Sequence, residues 1–156
     1  MEITKKNIQL ATIYRPLNNF FLNPLMEFLR KKYVCNNQIK KGRLGVKDCV
    51  DYIQKDFSIA LMIDQRVTEN DRVKFFTQKA HTTSLPAQLS LKYNLDIVPI
   101  FIERDNQDNF KMKVFKPIKT SNFKDKSDLT LKLNEVLENM ILKNPNQWIW
   151  THDRWK

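Results

Sequence analysis

The run Ser58-Ile59-Ala60-Leu61-Met62-Ile63 is the clearest indication of fold class in this sequence of 156 residues. It is short and almost entirely apolar, a pattern typical of a strand that is covered on both faces. We therefore expect a central strand of an α/β sheet with helices on its faces. The polar residues Asp64-Gln65-Arg66 follow directly, and in open α/β sheets the ligand crevice lies beyond the carboxyl ends of the strands.

The segments before this strand predict another strand and two helices. Residues 8–14 alternate and are rich in β-branched side chains, so we expect a strand that ends at Arg15-Pro16. A helix is expected over residues 24–33, with Asn23 as its N-cap. A second amphipathic helix follows a basic turn over residues 40–45, which contains both glycines. Its apolar residues have helical spacing: Val46, Cys49, Val50 and Ile53.

The segments after the central strand complete an α/β pattern. They are a loop over residues 67–79, a helix over 85–93 with a hydroxyl cap, an apolar strand over 96–102, an antiparallel partner strand over 110–115, a polar loop over 117–128 and a long helix that ends before Pro145. This order predicts one domain over residues 1–156 with a mixed, mostly parallel sheet flanked by helices.

Composition limits the classes of partner. The formal net charge is +10 and the pI is about 9.6, which favours anionic partners: nucleic acid, anionic lipid, phosphorylated metabolites or acidic proteins. The two cysteines, Cys35 and Cys49, form no Cys-x-x-Cys pair, so we expect neither a zinc site nor a disulfide framework. No run approaches the roughly 20 apolar residues that a membrane-spanning helix needs.

Charged side chains follow three predicted strands. Arg15 follows the first strand, Asp64-Gln65-Arg66 follow the second, and Glu103-Arg104 follow the third. Each group alone is explained as the solvated end of a strand, but three groups on the expected ligand side favour a site. With Lys41 and Arg43 nearby, they are candidates for binding phosphate or carboxylate, because arginine supplies bidentate donors and lysine a point charge.

The last twelve residues, 145–156, carry all three tryptophans together with His152 and Arg154. So much aromatic surface must pack against something, because exposed tryptophans gain nothing from folding. Two interpretations are open. Either the tryptophans close the edge of the core while His152 and Arg154 stay in solvent, or this end of the chain faces a ligand.

Several segments, taken in order, resemble the bacterial lipid A biosynthesis late acyltransferases, which are lauroyl and myristoyl transferases of the lysophospholipid acyltransferase superfamily. The matching segments are Tyr14-Arg15-Pro16-Leu17-Asn18-Asn19, Asn23-Pro24-Leu25, Ile39-Lys40-Lys41-Gly42, Leu61-Met62-Ile63-Asp64-Gln65, Val73-Lys74-Phe75-Phe76, residues 82–87, Val98-Pro99 and residues 145–156. The resemblance implies a glycerol-3-phosphate acyltransferase-like α/β fold. It also implies an enzyme at the cytoplasmic face of the inner membrane that moves an acyl chain from acyl carrier protein, or coenzyme A, to a hydroxyl of a phosphorylated lipid A precursor.

One feature of that family is missing from the sequence. The family's catalytic box is His-x-x-x-x-Asp/Glu, in which the histidine acts as general base. Pro86 stands five positions after His81, and the sequence ends before the fifth position after His152. In the family the box and a membrane-anchoring helix precede the Tyr-Arg-Pro segment. We therefore expect the carboxyl-terminal part of a longer enzyme, peripheral on the membrane and inactive alone, whose catalytic residues lie outside this chain.

The resemblance also suggests roles for individual residues. Arg15 would belong to the acceptor-binding block, and Asp64-Gln65 to a neighbouring block near the active cleft. Lys41, Arg43 and Arg66 are candidates from charge and position, and His152 and Arg154 are expected to border the cleft. Phe20-Phe21-Leu22 are candidates for contact with acyl chain or bilayer, whereas core packing is favoured for Phe75-Phe76.

The expected partners are therefore acyl carrier protein, a lipid A precursor and an anionic membrane surface, with the acyl thioester as co-substrate and no resident cofactor or metal. A basic nucleic-acid-binding module is the alternative, motivated by the charge of +10. It ranks lower because the basic residues are spread along the chain and no RNA-recognition or helix-turn-helix pattern occurs.

Overall fold

The computed structural model describes residues 8–67 and 71–156, and of Arg43 and His152 it describes the backbone. The chain divides into two compact units, Met1–Met62 and Ile63–Lys156. The one domain expected over residues 1–156 stays a prediction. The α/β class is confirmed, because helices alternate with a parallel sheet in the first unit and with two antiparallel hairpins in the second.

The first unit is a three-stranded parallel sheet with two helices. Its elements are β1 (Leu10–Tyr14), α1 (Leu22–Tyr33), β2 (Asn37–Lys40), α2 (Arg43–Ile53) and β3 (Ser58–Ala60). The strand order is β2-β1-β3, with both pairs parallel. Leu10, Ala11 and Thr12 are buried in the middle strand, which places the core of this unit around β1.

The position of β3 corrects one prediction. The run 58–63 was expected to be the central strand, but β3 covers only Ser58–Ala60 and lies at the edge of the described sheet, while β1 is central. The other neighbour of β1 is β2, which the sequence pattern does not predict. Only Ile39 among the four residues of β2 is apolar, and it is fully buried.

The start of α1 also differs from the prediction. The helix begins at Leu22, and Asn19 rather than Asn23 binds its first amides. The Asn19 Oδ1 accepts from the backbone N–H of Phe21 at 3.0 Å and of Leu22 at 3.1 Å. Asn23 lies inside the first turn, where its amide donates to Glu27. Both asparagines have the right chemistry for a cap, so the sequence pattern alone does not separate them.

Glycine is required at positions 42 and 45 for different structural reasons. Gly42 precedes α2 with φ of 143°, a backbone conformation that side chains rarely allow. Gly45, in the first turn of α2, lies against the end of β2. A Cβ atom there would sit 2.0 Å from the backbone carbonyl oxygen of Lys40, so only glycine lets the helix begin this close to the strand.

The second unit combines two hairpins with two helices. Its main elements are β4 (Arg72–Phe75), β5 (Gln78–His81), α3 (Leu85–Tyr93), β6 (Ile100–Arg104), β7 (Phe110–Val114) and α4 (Lys126–Lys143). The helix predicted over 85–93 is confirmed, as is the antiparallel partner strand. Two other predictions are wrong: β4 and the start of β5 lie in the expected loop 67–79, and α4 begins inside the expected polar loop 117–128, with Asp125 as its cap.

The single mixed sheet is therefore also corrected. Parallel pairing is confined to β2-β1-β3, and β4-β5 and β6-β7 form separate antiparallel pairs among the described residues. Two-stranded pairs are stable only when something packs on them. For β4-β5 that covering comes from α4 and from the aromatic end of the chain.

The end of the chain packs into the second unit. Trp155 stacks on Phe75 with ring centroids 5.7 Å apart, and Trp148 meets the same ring edge-on at 5.8 Å. Phe75 is fully buried in a cluster with Ala80, Leu137 and Ile141. Core packing of Phe75 is thus confirmed, and this end of the chain completes the core.

Candidate functional site

Arg15 and Lys41 lie side by side at the carboxyl edge of the parallel sheet. Tyr14, the last residue of β1, is in register with Lys40, the last residue of β2. The backbone N–H of Lys41 donates to the carbonyl of Tyr14 at 2.8 Å, so the next residue of each strand leaves the sheet at the same point. Arg15 and Lys41 are both exposed. Two of the predicted site residues are therefore brought together, at the edge where α/β sheets bind ligands.

The amino end of α2 lies at the same edge. The strand β2 ends at Lys40, and α2 begins three residues later at Arg43. The first amides of a helix have no intrahelical acceptor and carry a partial positive charge, so they bind anions. Arg43 contributes its backbone to this first turn; contact of its side chain with a ligand stays a prediction.

A polar cluster behind this edge holds α1 against the sheet. The Glu27 Oε1 accepts from the Tyr14 hydroxyl and from the Asn23 amide, both at 2.8 Å, and pairs with the Lys40 ammonium at 3.2 Å. These hydrogen bonds hold the pKa of Glu27 below its ordinary value. Burial, together with the neighbouring carboxylate, raises the pKa of Tyr14 to about 12, so the hydroxyl keeps its proton as donor. Sequence reasoning missed this cluster, because its members are far apart in the chain and none is unusual alone.

Asp64, Gln65 and Arg66 belong to the second unit. Because β3 ends at Ala60, they do not follow the strand directly, which corrects the predicted strand-end position. Gln65 is exposed, whereas Asp64 and Arg66 are half-buried. The Asp64 Oδ1 is buried and has no hydrogen-bond partner within residues 8–67 and 71–156.

Arg154 is fully buried, which excludes the interpretation that it stays in solvent. Its guanidinium lies 4.1 Å from the centre of the Phe75 ring and donates to Thr82 Oγ1 at 3.2 Å and Asn134 Oδ1 at 3.4 Å. Burial lowers its pKa to about 10, and the charge of Asp64 acts in the opposite direction. Arg154 is therefore cationic at neutral pH, with Asp64 as a compensating charge.

The partners of Arg154 link three elements of the second unit. The Asn134 amide of α4 donates to the Lys74 carbonyl of β4 at 2.9 Å and to Thr82, which follows β5, at 3.2 Å. Sequence reasoning missed Asn134, although a signal existed: it takes a position on the apolar side of α4, three residues before Leu137. The expected placement of His152 and Arg154 at a cleft border stays a prediction.

Glu103 and Arg104 do not join a ligand edge as predicted. They lie in the β6-β7 hairpin, where Arg104 is opposite Phe110 and Glu103 is opposite Lys111. The side-chain amide of Gln147 occupies both backbone groups of Arg104, at 2.9 Å to its N–H and 2.6 Å to its carbonyl. Because β6 pairs with β7 and is not a strand of the parallel sheet, these two residues do not follow a strand of that sheet.

Fold and site together define an α/β protein that presents cations and a helix start at the carboxyl edge of a parallel sheet, the arrangement of proteins that bind anionic ligands. The sequence matches the bacterial lipid A biosynthesis acyltransferase family over residues 1–156. The chain belongs to this family, which confirms the resemblance and implies an acyltransferase of lipid A biosynthesis acting on a lipid A precursor. A comparison with curated proteins finds no match. Within the described residues, none of the helices has the length and apolar content to cross a bilayer.

Proposed function

We propose that this chain takes part in moving a fatty acyl chain from acyl carrier protein, or from coenzyme A, to a hydroxyl of a phosphorylated lipid A precursor at the cytoplasmic face of the inner membrane. The family match over residues 1–156 carries this proposal. No resident cofactor is needed, because the thioester donor brings the activated acyl group.

In this proposal the Arg15-Lys41 edge binds a phosphate of the acceptor. Arg15 supplies two parallel N–H donors and Lys41 a point charge, while the first turn of α2 adds backbone amides. Lys40 is paired with Glu27, which partly compensates its charge, whereas Arg15 and Lys41 are both exposed. A bound phosphate would also offset the repulsion between these two cations.

The remaining predicted site residues have supporting roles in the proposal. Asp64, Gln65 and Arg66 would form part of the active cleft, bordered by His152 and Arg154. Neither histidine is followed five positions later by an acid, so the general base of the reaction is not supplied by a His-x-x-x-x-Asp/Glu box within these 156 residues. We therefore expect the purified chain to bind acceptor without turning it over.

Binding of a phosphorylated lipid A precursor in detergent micelles tests the acceptor site. We expect Arg15→Ala and Lys41→Ala each to weaken binding on the order of tenfold, since each removes a charge-assisted contact. Lys47→Ala, which removes another exposed cation further along α2, should leave the affinity unchanged. Equal affinity for the dephosphorylated precursor would contradict the phosphate contact.

Two further measurements test the reaction and the alternative. Mass spectrometry of the precursor after incubation with acyl-loaded carrier protein, or with acyl coenzyme A, should show no product with this chain alone, and product would overturn the expected inactivity. Anisotropy with labelled oligonucleotides tests nucleic-acid binding. Tight, strongly salt-dependent oligonucleotide binding without binding to precursor or carrier protein would replace the acyltransferase proposal.

A further inference from the structure

Helix α1 exposes its apolar side. Phe21, directly before the helix, is 88% exposed, and Leu25 and Phe28 are 54% and 59% exposed. None of the residues of α1, all of which the structure describes, is buried. A surface helix of a soluble protein normally turns its apolar stripe toward the core, whereas α1 leaves Phe21, Leu25 and Phe28 exposed and keeps only Met26 and Leu29 half-buried.

The opposite side of α1 carries a polar stripe that contacts the sheet, with Met26 and Leu29 half-buried beside it. Glu27 binds Tyr14 and Lys40, and the Arg30 guanidinium lies 5.0 Å from the centre of the Tyr14 ring. Residues 23, 27 and 30 form this polar stripe. The apolar stripe 21, 25 and 28 is offset from it by two residues, or about 200° around the helix.

These polar contacts fix which side of α1 is exposed. Turning Phe21 and Phe28 inward would bring the Glu27 carboxylate into solvent and break its bonds to Tyr14, Asn23 and Lys40. The outward direction of the phenyl rings is therefore built into the contacts of the helix. Phe20, one residue earlier, is 83% exposed and extends the same apolar surface.

Basic side chains lie at the end of this apolar surface. The last turn of α1 carries Arg30, Lys31 and Lys32, and the Lys32 ammonium lies 5.9 Å from the Phe28 ring and 5.2 Å from the Tyr33 ring. Aromatic rings beside lysines on one side of a helix match a lipid interface, where rings enter the acyl boundary and ammonium groups reach anionic headgroups. The net charge of +10 has the sign that an anionic surface attracts.

We propose that α1 lies in the surface of an anionic bilayer, with Phe20, Phe21, Leu25 and Phe28 inserted and Lys31 and Lys32 on the headgroups. The choice of lipid as occupant rests on the proposed function, whereas the outward apolar side is a property of the fold. Glu27 joins the inner side of α1 to the last residues of β1 and β2. The same helix that contacts the bilayer thus holds the edge that carries Arg15 and Lys41, where the phosphate of a membrane-embedded acceptor would arrive.

Flotation with vesicles tests the proposal, using phosphatidylethanolamine mixed with phosphatidylglycerol and, for comparison, phosphatidylcholine alone. We expect the chain to bind the anionic vesicles. The double variant Phe21→Ser/Phe28→Ser should lose on the order of tenfold affinity for each ring that is removed. Leu25→Ser and Leu142→Ser form a matched pair, because both leucines are exposed, at 54% and 65%. Only Leu25→Ser should weaken binding. Circular dichroism and thermal unfolding establish that every variant is folded.

A direct readout is a fluorophore on Leu25→Cys, since the native Cys35 and Cys49 are buried. We expect its emission to shift to the blue on anionic vesicles and to be quenched by lipids labelled in the upper acyl chain. Unchanged vesicle binding of the double phenylalanine variant, or no quenching, would overturn the proposal. Variants of α1 that keep vesicle binding and lose binding to acyl carrier protein would also overturn it, because α1 would then be a protein-docking surface.

These outcomes are distinguishable from failure of the proposed function. Arg15→Ala should lose affinity for the phosphorylated precursor and keep vesicle binding, whereas the α1 variants should lose vesicle binding and keep affinity for precursor in micelles. If Arg15→Ala has no effect and the α1 variants still lose vesicle binding, the acceptor site is wrong and the membrane surface stands.

Discussion

Arg154 stabilises the second unit through contacts that depend on a planar cation. Its guanidinium covers the face of Phe75 while an edge donates to Thr82 and Asn134. An ammonium cannot stack flat on a ring and donate sideways at the same time. The residue type, and not only the charge, is therefore what this position requires.

Replacing Arg154 by alanine should lower the free energy of unfolding by about 3 kcal/mol, because the Asn134 carbonyl loses its donor and a buried space opens. Arg154→Lys should cost roughly half as much, since charge is kept but stacking is lost. Lys156→Ala, two residues further on with an 84% exposed side chain, is the control and should change stability by less than about 0.5 kcal/mol. Urea unfolding followed by tryptophan fluorescence measures all three. Equal stability of the lysine and wild-type proteins would contradict the need for a planar cation.

Among the elements, the passage from β2 into the first turn of α2 depends on its two glycines. Its two glycines look equivalent in the sequence, where both simply indicate a turn. The structure separates them: Gly42 needs freedom of φ, and Gly45 needs the absence of a side chain against Lys40. Since the first turn of α2 and Lys41 both depend on this connection, the proposed phosphate site depends on Gly45.

Gly45→Ala should therefore destabilise the first unit more than Gly42→Ala. The added Cβ at position 45 would meet a backbone oxygen at 2.0 Å, which requires the strand or helix to move. At position 42 the Cβ meets nothing within 4 Å among the described residues, so only the positive φ costs energy, about 1–2 kcal/mol. Circular dichroism during urea unfolding compares them. A larger loss for Gly42→Ala would mean that the connection relaxes around position 45.

The elements that sequence reasoning found are those with a strong local pattern. Helix α3 was predicted at its observed bounds because a hydroxyl-rich start, Pro86 and an apolar run all agree. Strand β2 was missed because its one buried residue, Ile39, leaves no pattern, and its place is set by pairing with β1. Of the candidate site, the position of Arg15 could be predicted from the strand pattern before it, and that of Lys41 from the basic turn. The Glu27 cluster and the burial of Arg154 could not, because both arise from contacts between distant parts of the chain.

At the scale of the whole molecule, the chain consists of two compact units and carries a net charge of +10. All three tryptophans lie in the second unit, at residues 148, 150 and 155. Tryptophan fluorescence therefore reports on that unit, whereas far-ultraviolet circular dichroism reports on the helices of both.

If residues 1–156 form one domain, tryptophan fluorescence and circular dichroism should change together in urea, since coincident transitions are the mark of a single cooperative step. The Leu142→Ser variant, which replaces a 65% exposed side chain, should give the same fluorescence and circular dichroism curves as the unsubstituted protein. The Arg154→Ala variant should shift the fluorescence and circular dichroism transitions to lower urea by the same amount. A fluorescence transition that moves while the circular dichroism splits into two steps would make the units separate domains.

The burial of Arg154 bears on how the protein is made. Its backbone carbonyl accepts from the N–H of His81, and its guanidinium donates to Thr82. The β4-β5 hairpin therefore forms these contacts only after a residue about 70 positions further along the chain has been synthesised. The hairpin leaves the ribosome long before its covering does, with Phe75 unprotected in the meantime. A chain released before residue 154 would keep α4 over the hairpin but lack Arg154 and Trp155, so we expect it to be cut by proteases more readily. We therefore expect this unit to reach its full stability only after translation has passed Arg154.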